Sequence, residues 1–213
     1  MARAFAQIAF TTNVLATQAD HGSADDYADL LSPAADGGDQ LTARETAFIS
    51  AIDGFYQSTV SETGWPYVQF RGGPAGFLKV IDDRTIAYAD FCGNRQYLSV
   101  GNLTGNDRVS LILMDYANRQ RLKIWGRAKL VSIDDDPDLI ARLHLEAYKA
   151  KPERAVIIGL EAFDWSCPQH IPRRFTRGQL EEFLSPVREE IDYLRAENAK
   201  LKAQLEASGP QPS

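Results

Sequence analysis

The chain has 213 residues, of which 44% are hydrophobic and 24% are charged, a composition typical of a globular chain with one main core. No stretch approaches the roughly 18 consecutive apolar residues of a membrane span, so no membrane partner is expected. The formal net charge is −6, and no basic run that could follow a phosphodiester backbone is present. This charge pattern argues against nucleic acid as the main partner. Residues 41–180 hold 18 basic and 16 acidic side chains, so a small anionic ligand fits that segment.

The cysteines and the amino-terminal sequence indicate a cytoplasmic protein. Cys92 and Cys167 are too few for a disulfide framework and lack the spacing of metal ligands, so neither a stapled secreted fold nor a metal site is expected. The start MARAFAQIAFTTN lacks the apolar region and cleavage site of a secretory signal. We therefore expect reduced thiols in a cytoplasmic chain.

Residues 1–40 predict an acidic amino-terminal arm. They hold one Arg and six Asp, and small or polar residues dominate over large apolar ones from residue 16 onward. We expect this arm to lie loosely on the surface. A helix is predicted to follow, since Thr42 and Glu45 have the spacing of a capping box and the apolar residues after them share one face.

Residues 41–180 are predicted to form one mainly β domain with flanking helices. Between residues 56 and 133, short apolar or alternating runs are separated by turn residues, and no crossover helix fits between most of them. This pattern favours a small antiparallel barrel over a doubly wound parallel sheet. We expect a helix over DPDLIARLHLEAYKAKPERA, a strand over AVIIGLEAFDW and a rigid proline-bounded loop over CPQHIPRRF.

Residues 185–207 show the periodicity of a coiled-coil helix that begins at about Pro186. Its a and d positions are spaced 4, 3, 4, 3 and 4 residues apart and are occupied by Val187, Ile191, Leu194, Asn198, Leu201 and Leu205. An Asn at position a is tolerated best opposite its twin in a parallel two-stranded seam, which favours a homodimer. An amphipathic helix lying on its own barrel fits the same stripe.

Three stretches carry side chains suited to an anionic ligand. Arg71 and Lys79 flank a glycine-rich turn at which the backbone can approach a ligand. Asn94, Arg95 and Gln96 supply a guanidinium and two amides after a strand, which suits a phosphate monoester. The third stretch alternates cations along one strand face, at Arg119, Arg121, Lys123 and Arg127. A plain turn, a solvated arginine and an exposed sheet face explain these stretches about as well.

The sequence contains none of the usual catalytic sets. GxGxxG, the P-loop motif, GxSxG and HExxH are all missing, so nucleotide binding through those motifs and covalent hydrolysis are unsupported. Cys167 and His170 lie three residues apart around Pro168, and this arrangement indicates packing residues more often than a thiol enzyme. No catalytic residue is assigned.

Three stretches occur together in the order and spacing of a known family: TVSETGWPYVQFRGGPAGFLKV, IAYADFCGNRQYLSVGNLTGNDRVSLILMDY and RQRLKIWGRAKLV. From about Thr42 to Phe175 the chain resembles the pyridoxamine 5′-phosphate oxidase-like, FMN-binding split-barrel family, and CPQHIPRRF is typical of one subgroup. The resemblance implies a homodimer of six-stranded antiparallel split barrels with FMN at the dimer interface. The chain lacks the carboxy-terminal Trp and Arg-x-His-rich segment of the true pyridoxine phosphate oxidases, so we expect a different substrate.

The resemblance also assigns cofactor-binding positions. The family's Arg-x-x-Leu-Leu-Lys strand falls on residues 74–79, where Pro74 replaces the Arg and Arg71 is the expected substitute. Arg95 takes the position of a phosphate-binding Lys, and Arg121 that of a Gln that contacts the flavin. The expected cofactor-binding residues are Arg71, Gly76, Phe77, Lys79, Tyr88, Ala89, Asp90, Asn94, Arg95, Gln96 and Arg121.

Together these features predict a cytoplasmic, homodimeric, FMN-dependent oxidoreductase with a small-molecule substrate or an electron donor such as NADH or NADPH. A flavin supplies the hydride chemistry itself, so the missing catalytic sets do not count against this prediction. Two alternatives stay open. One is a non-catalytic module that binds flavin, haem or deazaflavin, and the other is a barrel that serves as a scaffold for a partner-binding carboxy-terminal helix.

Overall fold

A computed structural model describes residues 3–35 and 37–207. Its α-helices are α1 (Ala4–Ala9), α2 (Thr12–Asp20), α3 (Ala24–Leu31), α4 (Ala43–Ala51), α5 (Leu98–Gly105), α6 (Pro137–Leu143) and α7 (Arg177–Ala207). Its strands are β1 (Gly54–Val60), β2 (Pro66–Gly72), β3 (Lys79–Asp82), β4 (Thr85–Phe91), β5 (Arg108–Asp115), β6 (Gln120–Ser132) and β7 (Pro152–Trp165). The chain divides into two compact units, residues 1–171 and 172–213. No described helix is long and apolar enough to cross a membrane.

The first unit is the predicted antiparallel split barrel with flanking helices. The strands follow the order β2-β1-β5-β6-β7-β4-β3, and every neighbouring pair is antiparallel. The expected count of six strands is wrong, because seven strands are present. The seventh arises because β3, of four residues, forms its own hairpin with β4, in which the Arg84 amide donates to Asp82 Oδ1 at 2.8 Å.

One apolar core joins strands from across the sheet. Phe55 on β1 stacks on Phe77 at 5.7 Å between ring centroids and meets the edge of Tyr88 on β4 at 5.4 Å. All three side chains are almost fully buried. β4 is buried on both faces, since its Ala87 and Ala89 belong to a second cluster with α6. This double burial fixes the end of β4, from which the candidate site is built.

Helix α4 begins with the predicted capping box. The Thr42 amide donates to Glu45 Oε2 at 3.0 Å, and the Thr42 side chain accepts a bond from the helix backbone in return. Glu45 also reaches the end of β7, where Trp165 Nε1 donates to its Oε1 at 2.7 Å. Burial works against ionisation here, yet the bonds from Thr42 and Trp165 hold the pKa of Glu45 below its ordinary value.

The amino-terminal arm is more ordered than expected. Residues 4–31 contain three helices, and α1 packs against β7 through the buried Ala6. Phe5 contacts the ring of Trp125 at 5.2 Å between centroids, and the Phe163 amide donates to the carbonyl of Gly38 at 2.7 Å. The composition pointed to a loose arm because few large side chains are present, but a small residue and one aromatic ring are enough to attach α1 to the sheet.

The second unit is dominated by α7, which begins at Arg177 rather than near Pro186. Its start is explained by a second capping box: the Gln179 amide donates to Thr176 Oγ1 at 3.2 Å, and the Thr176 amide donates to Gln179 Oε1 at 2.9 Å. Pro186 lies inside the helix and lowers its stability without ending it.

Candidate functional site

A polar cleft lies where β2, the end of β4 and the start of β7 meet the loop 93–97 and the first turn of α5. Five of the expected cofactor-binding residues line it: Arg71, Asp90, Asn94, Arg95 and Gln96. The structure therefore brings together two of the three stretches that the sequence singled out for an anionic ligand.

A buried ion-pair cluster forms one wall of the cleft. Arg71 Nη1 donates to Asp90 Oδ1 at 2.6 Å, and Arg154 Nη1 donates to Asp90 Oδ2 at 3.3 Å. Arg154 Nη2 also donates to Glu153 Oε2 at 2.8 Å. The Asp90 side chain is 6% exposed, against 15% and 17% for the two arginines. Bonds of this kind between charged groups hold both guanidinium groups in fixed positions.

Asp90 experiences two opposing effects. Burial raises the pKa of this carboxyl above its ordinary value, although the neighbouring Arg71 and Arg154 act to lower it. The Arg71 guanidinium also lies 5.9 Å from the centroid of the Tyr88 ring, and its Nε is buried with no hydrogen-bond partner among the described residues. Arg71 therefore has donor capacity that Asp90 does not use.

The loop 93–97 carries two residues in the left-handed region. Arg95 has φ 61° and Tyr97 has φ 53°, which is unfavourable for side chains with a Cβ. The loop is held by the Gln96 amide, which donates to Asn94 Oδ1 at 3.2 Å, and by Tyr97 Oη, which donates to Glu153 Oε1 at 3.1 Å. A hydrogen bond with Tyr97 raises the pKa of the exposed Arg95. The Arg95 guanidinium is thus charged and lies at the mouth of the cleft.

The first turn of α5 adds backbone donors to the same cleft. Tyr97 precedes the helix in a left-handed conformation and its side chain makes no capping bond. Residues 98–100 line the cleft. The first amides of an α-helix have no partner within the helix and carry partial positive charge, so a helix start of this kind is suited to an anion.

Six expected cofactor-binding residues lie away from this cleft, and five of them are in or near the barrel core. Phe77 and Tyr88 are 3% and 1% exposed in the barrel core, and Tyr88 Oη donates to Gln57 Oε1 at 2.8 Å. Ala89 is buried under α6. Gly76 lies in the loop before β3 with φ 83°, and the half-buried Lys79 begins β3. Within one chain these residues shape the barrel behind the cleft.

Arg121 lies at the opposite end of the sheet. It is the second residue of β6 and precedes Leu122, which pairs with Trp165 at the end of β7, whereas Arg154 lies near the start of β7. Trp165 lies eleven positions after Arg154, which corresponds to roughly 36 Å of extended strand. At that end Arg121 Nη2 donates to the carbonyl of Cys167 at 3.5 Å, so Arg121 and the proline-bounded loop form a separate cluster.

Arg154 and Glu153 are site residues that sequence reasoning missed. They lie in a segment predicted to be helical, but β7 begins at Pro152. Pro152 was the available signal, because a proline lacks a backbone donor and is accepted at the first residue of a strand. With the strand extended to Pro152, Arg154 pairs with Asp90 in the sheet register.

Comparisons with known proteins give one matching family and several similar solved structures. The pyridoxamine 5′-phosphate oxidase family matches residues 41–164. A comparison with curated proteins finds no match. Among solved structures, the chain is similar to HupZ of Group A Streptococcus, at 15% identity and a TM-score of 0.48 over 63% of this chain and 99% of that one.

The chain is also similar to two further solved structures. A putative pyridoxamine 5′-phosphate oxidase from Lactobacillus delbrueckii matches at 19% identity and a TM-score of 0.45, over 59% of this chain and 94% of that one. An FMN-binding protein from Syntrophomonas wolfei matches at 16% identity and a TM-score of 0.42, over 59% of this chain and 84% of that one. At these identities no activity follows from the similarity.

Proposed function

The chain belongs to the pyridoxamine 5′-phosphate oxidase family, and we propose that it is an FMN-dependent oxidoreductase whose cofactor phosphate binds in the polar cleft. Its substrate is a small molecule of unidentified structure, with NADH or NADPH as the electron donor. The observation that carries this proposal is the convergence of Arg71, Arg95 and the start of α5 on one cleft.

The residues of the cleft fit a phosphate monoester. Three arginines, Arg71, Arg95 and Arg154, face two carboxylates, Asp90 and Glu153, which leaves one excess positive charge. The first amides of α5, which line the same cleft, provide further donors. A guanidinium binds a phosphate through two parallel hydrogen bonds, and a helix start favours the same negative charge.

The protein's contribution in this proposal is to position the cofactor. FMN, when bound, supplies the hydride chemistry, so the chain needs no nucleophile or general base of its own. Asp90 orients Arg71 and Arg154, and burial keeps these bonds out of competition with water. Arg95 stands on the exposed side, where it can meet the phosphate as it enters.

An outer face of the barrel supports the homodimer that the resemblance implies. Tyr56 on β1 lies opposite Phe70 on β2 and Ile112 on β5, so the three side chains form a row across three strands. They are 40%, 58% and 36% exposed, and the Tyr56 and Phe70 rings are in contact at 5.4 Å. We propose that a second barrel covers this patch, because a contiguous apolar patch on a surface commonly marks an interface.

The proposal is tested by comparing FMN with riboflavin, which lacks the phosphate. We expect the native chain to bind FMN more tightly than riboflavin, and Arg95→Ala to weaken the binding of FMN by about tenfold while leaving that of riboflavin unchanged, since a charged hydrogen bond to the phosphate is lost. Arg142→Ala, which removes an exposed arginine of α6, is the matched control. Equal affinities of the native chain for FMN and riboflavin would exclude this phosphate site.

Turnover requires a separate measurement. The flavin-loaded protein is expected to oxidise NADH or NADPH, and the loss of absorbance of the reduced nicotinamide measures this reaction. Flavin binding without turnover by either donor would instead support the non-catalytic module. Failure to bind flavin, with uptake of haem or a deazaflavin, would refute FMN as the cofactor, while the barrel would still be a cofactor-binding domain.

A further inference from the structure

Helix α7 carries an apolar seam longer than its sequence alone predicts. Because the helix begins at Arg177, two leucines join the a and d positions before Val187. The seam consists of Leu180, Leu184, Val187, Ile191, Leu194, Asn198, Leu201 and Leu205. These eight residues are spaced 4, 3, 4, 3, 4, 3 and 4 apart, which is the repeat of a left-handed coiled coil.

Seven of the eight seam residues are exposed, and Leu184 is half-buried. Val187, Leu194 and Leu201 are 50%, 50% and 51% exposed, and Leu205 is 73% exposed. No residue of the described helix is buried. A continuous apolar stripe of this length in water is unfavourable, so a second surface is needed to cover it.

We propose that the same helix of a second copy covers this seam in a parallel, in-register, two-stranded coiled coil. Asn198 is the first reason for this choice of partner. It occupies position a between Leu194 and Leu201 at the adjacent d positions, and in a parallel pair it meets the Asn198 side chain of the second copy. A hydrogen bond between the two amides is possible in that register alone, because any shift buries each amide against leucine.

The charges beside the seam select the parallel orientation. Glu190 and Glu197 occupy g positions, and Arg195 and Lys202 occupy the e positions five residues further on. In a parallel pair, g of one helix faces the following e of the other, so each Glu meets a cation. In an antiparallel pair, g faces g and e faces e, and like charges meet.

Other features of the helix agree with this arrangement. Pro186 falls at position c, away from the seam, so its ring does not enter the interface. Arg195 Nη1 lies 3.6 Å from Asp192 Oδ1, and both side chains are more than three-quarters exposed, so this contact leaves Arg195 able to turn to the second helix. The proposal uses no residue of the polar cleft and does not depend on the proposed function.

Disulfide trapping tests the register in the full-length chain. In a Cys92→Ser, Cys167→Ser background, Val187→Cys places a thiol at position d, and Glu189→Cys places one at the outward position f. Two d thiols face each other in a parallel in-register pair, so we expect Val187→Cys to cross-link about tenfold faster than Glu189→Cys, reflecting their effective concentration. Equal cross-linking rates would overturn the proposal. This holds even if light scattering shows a dimer, because the barrels alone could then hold the two copies together.

Charge exchange tests the orientation. Two double variants are made in the Val187→Cys chain: Glu190→Lys/Glu197→Lys and Arg195→Glu/Lys202→Glu. Expressed alone, each is expected to cross-link about tenfold more slowly than the Val187→Cys chain, because the exposed charge pairs become repulsive. Coexpression of the two variants should restore the parent rate in mixed dimers. Failure of coexpression to restore cross-linking would refute the parallel pairing. Flavin affinity is measured on the same samples. It tests the proposed cofactor site independently, so a failure of the helix pairing can be distinguished from a failure of that site.

Discussion

Substitution of Glu45 by glutamine tests the junction between α4 and β7. The carboxylate is 4% exposed and accepts bonds from Thr42 N at 3.0 Å, Thr42 Oγ1 at 2.5 Å and Trp165 Nε1 at 2.7 Å. A glutamine retains one side-chain oxygen. If that oxygen accepts the two bonds from Thr42, these bonds become neutral, and Trp165 Nε1 faces an N–H group instead of an acceptor. Neutral bonds are weaker than charged ones by about 1 kcal/mol each, and an orphaned buried donor costs about 1–3 kcal/mol. We expect a loss of about 3 kcal/mol in the free energy of unfolding.

Urea unfolding at several pH values measures this loss, with Glu62→Gln, on an exposed turn, as the control. Because the folded-state pKa of Glu45 is lowered, its carboxylate contributes stability above its ordinary value of 4.5 that is lost as the pH falls through the folded-state pKa. The difference between the native chain and Glu45→Gln should therefore narrow in acid. A difference that stays constant down to acidic pH, or is no larger than that of Glu62→Gln, would refute the role assigned to the ionised carboxylate.

Three further substitutions test packing and the barrel surface. Gly126→Ala should destabilise the barrel by about 3 kcal/mol in urea unfolding, since the new Cβ would lie 2.4 Å from the Gly159 carbonyl oxygen. Gly159→Ala should change the stability little, because nothing lies within 4 Å of its Cβ. Equal effects of the two substitutions would contradict this packing. Tyr88→Phe should cost about 1–3 kcal/mol, because Gln57 Nε2 already lacks a partner among the described residues and its Oε1 would lose its own; a neutral result would show that the amide finds another donor. In a chain shortened to residues 1–171, Phe70→Glu should reduce the mass seen by light scattering from two barrels to one, and an unchanged mass would exclude this patch as the interface.

Local signals were sufficient for much of the barrel. The capping box of Thr42 and Glu45 appears in the structure as the sequence predicts, because both partners lie within one turn. The alternating strands and tight turns are confirmed as an antiparallel sheet for the same reason. The count of six strands came from the family resemblance and not from the runs themselves, and it leaves no place for the short strand β3.

Contacts between distant segments were harder to predict. Asp90 and Arg154 are 64 residues apart, and nothing in either local segment indicates that one will neutralise the other. The order of α1 likewise depends on a contact between Phe5 and Trp125 that no local pattern shows. The early start of α7 had a local signal that was missed, since Thr176 and Gln179 have the spacing of a capping box. The helix was predicted to begin near Pro186, because proline is common in the first turn of a helix.

The ion pairs around Asp90 bear on how such a protein matures. The carboxylate of Asp90 binds both Arg71 and Arg154, which offsets the repulsion between the two guanidinium groups. A binding site arranged in advance loses little conformational freedom when its ligand arrives. Folding of the chain therefore orients both arginines, so an anionic ligand can bind in the cleft after folding is complete.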